Sequence, residues 1–440
     1  MWSIIEHMSE SRNEEQAVVV PPNARPLFDT LATARAAKIS AEALELDTIH
    51  RLCLAYHAVD EDAFGEAAEK LIYHGADGTP AVAEYLSLEV SALLGIAPGS
   101  GATLIGQVLN CVYRHPLLWD AAQASWVRWR RALDVIGEVN SAGLDAQAAR
   151  WVDQRITPLL ATLSPARIRR TLAGLIALAD PEGQGDRDDM VQRTLHATFW
   201  AGGGSCRDLT ARILLSDALA LDITLDQLAA ALAVQGDDDP LEIRRATALG
   251  VLADPEHALS LLQGHATPKP FGRATVVLHL SESSLTDGAL VGRVEGHGPL
   301  SREAWRELLG HDRVTIRPVV DLNAISPVDA YEIPDAIRTA VCYRTPVDAF
   351  PYGNHPSKGL DLDHTVAYDH SRDHPPGQTR TDNLAPLTRK PHRAKTARHW
   401  KLTQYEGGWL EWTSPAGYHY AVGPYGTLRE VVSAPPASAA

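Results

Sequence analysis

Asp361-Leu362-Asp363-His364, followed by Thr381-Asp382-Asn383-Leu384-Ala385-Pro386-Leu387-Thr388-Arg389-Lys390-Pro391-His392, decides how the rest of the chain is read. It sets an Asp-His pair, an Asn and a second His in one short run, with eight residues between Asn383 and His392. A carboxylate and an imidazole can together hold one divalent cation on a phosphodiester, while a separate imidazole takes a proton from the attacking water.

The same run has a clear local grammar. Leu360 to His364 reads as a short apolar and acidic strand, and Leu384 to Leu387 as a second. A helix is expected from Thr388, which can act as N-cap, with Pro391 in the first turn where its missing N–H costs little. His392, Lys395, Thr396 and His399 recur at helical spacing, so one polar and basic face is expected to look toward the site rather than into a core. Asp361 lies two residues from Asp363 and shares its strand face, as a spare ligand or substrate-side acid. His370 and His374 sit in a polar, Pro-rich loop and read as solvated.

Charge narrows the partner. Residues 389 to 401 carry Arg389, Lys390, Arg393, Lys395, Arg398 and Lys401 without one acid, a cluster suited to phosphates but not to reading sequence. Residues 341 to 440 hold 11 Lys and Arg against 9 Asp and Glu, or +2, so the net −15 of the chain leaves −17 on residues 1 to 340. Contact with DNA is therefore expected to be local, because the acidic bulk repels it.

Over about residues 341 to 425 these features resemble an HNH endonuclease domain, in which a β-hairpin and a helix surround one metal. The resemblance implies Asp363 and His392 as metal ligands, His364 as general base and Asn383 as a brace for the loop that aims His364. Arg389, Lys390, Arg393 and Lys395 would hold flanking phosphates, and cleavage would leave a 5′ phosphate. Mg²⁺ or Mn²⁺ is the expected cation. Where related domains carry a zinc knuckle, this chain has Asp348, Gly353, Thr388 and Pro391. With no thiolate left, a structural zinc is not expected, and Phe350, Trp400, Trp409, Trp412, Tyr418 and Tyr420 are candidates for a replacement core.

A second resemblance lies upstream. Arg244-Arg-Ala-Thr-Ala-Leu-Gly-Val-Leu-Ala-Asp-Pro255, Val314-Thr-Ile-Arg-Pro-Val-Val-Asp321 and Pro327-Val-Asp-Ala-Tyr-Glu-Ile-Pro334, in that order, resemble the 13E12 repeat family. In that family a helical domain of unknown function precedes an HNH domain.

Periodicity supports helices independently. After Ser164 and Pro165, Ile168, Leu172, Leu175, Ile176 and Ala179 fall on one helical stripe that Asp180-Pro181 ends. Similar patterns run from Ala41 to Ala58, Thr79 to Leu94 and Leu209 to Val234. Trp126, Trp129 and Leu133 are expected to share a core stripe with arginines at its edge. Gly99 to Gly101 and Gly202 to Gly204 lack the Gly-Lys-Ser/Thr ending of a phosphate loop. Between about 270 and 340 the period turns extended, with strands at Thr275 to Leu280, Ala289 to Val294 and Val314 to Val320 and a short helix from Ser301 to Leu309. Arg317-Pro318 sets the third strand at an edge.

The expected fold class is a mainly α N-terminal helical domain, a small α+β connector and a C-terminal ββα-metal (HNH) domain. The expected boundaries are a flexible N-terminus over 1–25, the helical domain over 26–268, the connector over 269–340, the nuclease domain over 341–425 and a disordered tail over 426–440. No run approaches the ~20 apolar residues needed to span a membrane, and Met1 to Glu15 lacks the pattern of an export signal. Four scattered cysteines without metal or disulfide spacing fit a reducing cytoplasm. The expected function is metal-dependent hydrolysis of DNA phosphodiesters. The competing expectation is a DNA-associated or protein-interaction factor that keeps the fold without useful catalysis. Oligomeric state is not legible.

Overall fold

The computed structural model describes residues 24–58, 64–181, 195–201, 206–265, 278–279, 292–294, 298–301, 325–371, 375–405, 408–423 and 426–429. The chain forms two compact units, one of Met1–Pro181 with Ile325–Ala440 and one of Glu182–Ala324. The expected helical domain over 26–268 is therefore divided between both.

The first unit begins with a helical bundle: α1 (Arg25–Ala55), a hairpin of β1 (Leu71–Ile72) and β2 (Val82–Ala83), then α2 (Leu86–Leu94), α3 (Pro98–Arg114), α4 (Pro116–Gln123), α5 (Trp129–Ser141), α6 (Ala146–Ile156) and α7 (Pro165–Ala179). Leu46, Ile49, Leu109, Leu118, Ile136, Val152, Ile168 and Leu172 bury a common core. Gly106 lets α3 meet the chain after β1, since a Cβ there would lie 2.3 Å from the His74 carbonyl oxygen. The buried Asp153 carboxylate accepts from the Leu117 and Leu118 amides at 2.9 and 3.1 Å, capping α4 from α6.

Two helical expectations shift here. The segment from Thr79 contributes strand β2 before α2 begins at Leu86, because hairpin pairing with Leu71–Ile72 takes its first residues. Trp126 precedes α5 and is 55% exposed, while Trp129 alone of the pair is buried.

The second unit holds a hairpin of β3 (His196–Ala201) and β4 (Arg207–Arg212), then α8 (Leu215–Val234), α9 (Leu241–Leu252) and α10 (Pro255–Leu262). Leu228, Ala248, Val251, Ala258 and Leu261 form its core. The pattern from Leu209 thus opens as strand and turns helical only at Leu215. Short strands β5 (Leu278–His279), β6 (Gly292–Val294) and β7 (Gly298–Leu300) pair antiparallel within the expected connector. Its expected third strand over Val314 to Val320, with Arg317-Pro318, the Ser301 to Leu309 helix beyond its first residue, and Gly202 to Gly204 lie outside the described residues, as does His374.

The C-terminal part of the first unit comprises α11 (Asp335–Arg344), the hairpin β8 (Asp361–His364) and β9 (Leu384–Leu387), α12 (Arg389–Thr396), and a four-stranded antiparallel meander β10 (Lys401–Gln404), β11 (Leu410–Thr413), β12 (His419–Gly423) and β13 (Gly426–Arg429). β13 pairs with β12 over residues assigned above to a disordered tail; ladder bonds from Tyr420 to Gly423 hold it. Phe350, Trp400, Trp412 and Tyr420 are buried together with Tyr85, Leu88 and Ala92 of the N-terminal segment, so this core is shared by the two ends of the chain. Trp409 lies instead against Gly423.

Among the described residues no single helix is long and apolar enough to cross a membrane. The four cysteines are free thiols.

Candidate active site

The hairpin sets the geometry. Its register pairs Asp363 with Ala385 and His364 with Leu384, and Thr388 turns the chain from β9 directly into α12. His392, one turn into that helix, therefore faces the strand that carries both aspartates. Its Nδ1 lies 2.9 Å from Asp361 Oδ2 and its Nε2 lies 3.5 Å from Asp363 Oδ1.

Asp361 can only accept, so Nδ1 is the donor of that pair. In its neutral form an imidazole that donates Nδ1–H to a carboxylate presents an Nε2 lone pair, the arrangement common to metal-bound histidines. Asp361 plays that orienting part, and the His392 and Arg389 groups beside it hold its carboxyl below the usual range against the opposing effect of burial. Nε2 then faces a second acceptor, Asp363 Oδ1. A span of 3.5 Å is one a single cation can bridge with bonds of about 2.0–2.2 Å. Among the described residues no three His, Cys, Asp or Glu side chains converge as ligands, so a cation here would complete its shell with water and phosphate oxygens. Lys395 Nζ lies 2.8 Å from Asp363 Oδ2 and donates to the His364 carbonyl, tying the helix to the strand.

His364 is buried, with Nε2 2.8 Å from Thr379 Oγ1. The Thr379 hydroxyl donates its only proton to the Ala330 carbonyl at 2.5 Å, so the imidazole donates through Nε2 and keeps the lone pair on Nδ1. Burial is the main cause that lowers its pKa, with Lys395 and His370 adding to it and Asp363 opposing. The neutral, basic ring is thereby favoured near neutral pH. Tyr331 stacks along one side, 5.9 Å between centroids at 14°.

Asn383 is buried and uses its whole amide. Oδ1 accepts from Thr365 Oγ1 and the Val366 amide at 2.9 and 2.8 Å, and Nδ2 donates to the Gln378 and Val366 carbonyls at 2.9 and 3.2 Å. It ties the two ends of the loop between β8 and β9, immediately after His364.

The basic residues of α12 are arranged differently from the expected phosphate-binding row. Arg393 donates from Nη1 to both Glu84 carboxylate oxygens at 2.9 and 2.8 Å and from Nε and Nη2 to the Glu66 and Ala68 carbonyls. Lys390 donates to Ser87 Oγ at 3.1 Å, and burial lowers its pKa. Lys395 serves Asp363. Arg389 alone of the four is exposed, and it pairs with Asp361 at 3.1 Å. Glu84 and Ser87, which engage Arg393 and Lys390, lie some 300 positions away, so no local pattern could announce them. His399 lies beyond the helix end and turns from the site, its Nε2 2.5 Å from the Tyr56 hydroxyl.

The four knuckle positions are packed rather than open. Asp348 Oδ2 accepts from Thr388 Oγ1 at 2.6 Å, a Cβ on Gly353 would lie 2.8 Å from Asp348 Cβ, and Pro391 is buried. Thr388 thus spends its hydroxyl on Asp348 instead of capping α12.

Comparison with known proteins places most of the chain. Residues 57–344 match the family described as a domain of unknown function, DUF222, and the chain belongs to that family. The matched region ends at Arg344, before the residues of the site. The chain is also similar to an uncharacterized protein, Rv3776, of Mycobacterium tuberculosis (strain ATCC 25618 / H37Rv), at 28% identity over 389 residues, covering 76% of this chain and 70% of the relative. No solved structure matches.

Proposed function

We propose that the site formed by β8, β9 and α12 hydrolyses DNA phosphodiesters with a divalent cation, in the manner of an HNH endonuclease, as the 13E12 resemblance also implies. The observation that carries this reading is the pair of acceptors, Asp363 Oδ1 and His392 Nε2, set 3.5 Å apart with His392 oriented by Asp361. Mg²⁺ or Mn²⁺ held there would stabilise charge at phosphorus and the leaving oxygen. His364 takes the proton of the attacking water on Nδ1, since Thr379 holds Nε2–H. Asn383 keeps the loop after His364 in place, and Arg389, exposed at the start of α12, meets a flanking phosphate.

A second reading rests on Lys395. Its ammonium already neutralises Asp363 at 2.8 Å, and an internal cation in that position suits a structural hairpin in a DNA-associated or protein-interaction factor. Nicking of supercoiled plasmid with Mg²⁺, Mn²⁺ or chelator separates the two. The nuclease reading expects metal-dependent nicking that falls about 10²- to 10⁴-fold in His364→Ala. Plasmid left intact under every metal would favour the second reading, and nicking that survives in His364→Ala would overturn the assignment of the base.

A further inference from the structure

Most cations of α12 are turned inward, whereas an aromatic cluster beside the site is exposed. Of the basic residues of α12, Lys390, Arg393 and Lys395 are engaged by Ser87, Glu84 and Asp363, and Arg389 is paired with Asp361, while Arg398 and Lys401 beyond its end are exposed. Duplex affinity comes mainly from neutralised phosphates, and a chain of net charge −15 has little positive field to add.

Beside His364 stands a cluster of different chemistry. Tyr331 is 60% exposed, and its ring lies 5.9 Å from His364, 5.4 Å from Tyr368 and 5.1 Å from His370. Tyr368 is fixed by its hydroxyl on the Asp329 carbonyl at 2.9 Å, so the cluster is a braced wall rather than a loose tip. Val366, on the same loop as Tyr368 and held through its amide by Asn383, is 70% exposed. A tyrosine needed only for packing would bury its face; this one is offered to solvent against the imidazole read as the base.

From these we infer that the substrate strand is engaged through unpaired bases, which stack on the wall of Tyr331, Tyr368 and His370 while the adjoining phosphate lies at Asp363 and His392. This rests on the nuclease reading and specifies its substrate class: single-stranded DNA, or a duplex frayed at the cleavage point. Stacking tolerates any base, because every base has a π face, and the exposed Arg389, Arg398 and Lys401 are the cations left to follow the strand's phosphates.

The test reads binding apart from cleavage. In chelator, anisotropy of a labelled single-stranded oligonucleotide is compared with that of the same sequence as a duplex, for the full chain and for Tyr331→Ala and Tyr331→Phe. The single strand should bind more tightly than the duplex, Tyr331→Ala should lose about tenfold of that affinity, and Tyr331→Phe should keep it. Duplex binding as tight as the single strand, or a Tyr331→Ala protein that binds unchanged, would overturn the inference. Adding Mn²⁺ then scores the nuclease separately: ring-dependent binding without cleavage would uphold the stacking wall and remove the nuclease reading alone.

Discussion

The helical bundle and the site-bearing hairpin obtain their cores in different ways. Every buried member of the bundle core lies between Leu46 and Leu172, along one continuous stretch. The core behind the hairpin joins Phe350, Trp400, Trp412 and Tyr420 to Ala67, Tyr85, Leu88 and Ala92, from the opposite end of the sequence. The bundle supplies itself, and the site depends on the bundle. Glu84, Ser87 and Glu66 extend that dependence by holding the helix that carries His392 through Arg393 and Lys390.

Cutting the chain should break this contrast most severely. A fragment of residues 24–181 keeps its core and should melt cooperatively in calorimetry. Residues 325–440 alone lose Tyr85 and Leu88 and should show no cooperative transition. A cooperative melt of the second fragment would mean that the shared core is dispensable.

A smaller break is Glu84→Gln. It leaves the Arg393 guanidinium unpaired with only 16% of its side chain exposed, and should cost about 3 kcal/mol in denaturant unfolding. Glu84→Gln combined with Arg393→Met should recover most of that loss, since the charge is then gone from both sides; an additive double mutant would show that the pair is not coupled.

Acid should weaken the chain more gently. Burial lowers the pKa of His115 to about 3, and those of His74 and His399 to about 4, from an ordinary value of 6.5. Below pH 6.5 the unfolded chain binds protons that these folded rings refuse, so stability is present above that pH and drains as it falls toward 4. At pH 5.5 the buried His115 should account for about 1 kcal/mol. Chemical denaturation at pH 7 and 5.5 measures the loss, and His115→Phe should shrink it; an unchanged slope would mean that the ring is not buried in its neutral form.

Much of the hairpin and helix was legible because its signals are local. Strand alternation around Asp363, the run Leu384 to Leu387 and the turn at Thr388 lie within a few residues of the elements they specify. The Ser164-Pro165 start of α7 was legible for the same reason. The fate of the basic row was not. Arg393 and Lys390 look like phosphate ligands until Glu84 and Ser87 are brought beside them, a pairing across some 300 residues. The part of Asp361 was half legible: sharing a face with Asp363 follows from the strand, but turning toward His392 Nδ1 follows from the angle of α12. Tyr331 and Thr379, which flank and orient His364, precede and follow it in segments without regular structure, where periodicity has nothing to report.

The proposed nuclease site requires Asp363 and His392 to hold one cation between them. Binding of Mn²⁺ followed by electron paramagnetic resonance tests it most directly, in the full chain and in Asp363→Asn, His392→Ala and His364→Ala. One bound ion per chain is predicted, lost in the first two variants and kept in the third. Binding unaffected by Asp363→Asn and His392→Ala, or no bound ion in the parent chain, would mean that these two residues hold no cation.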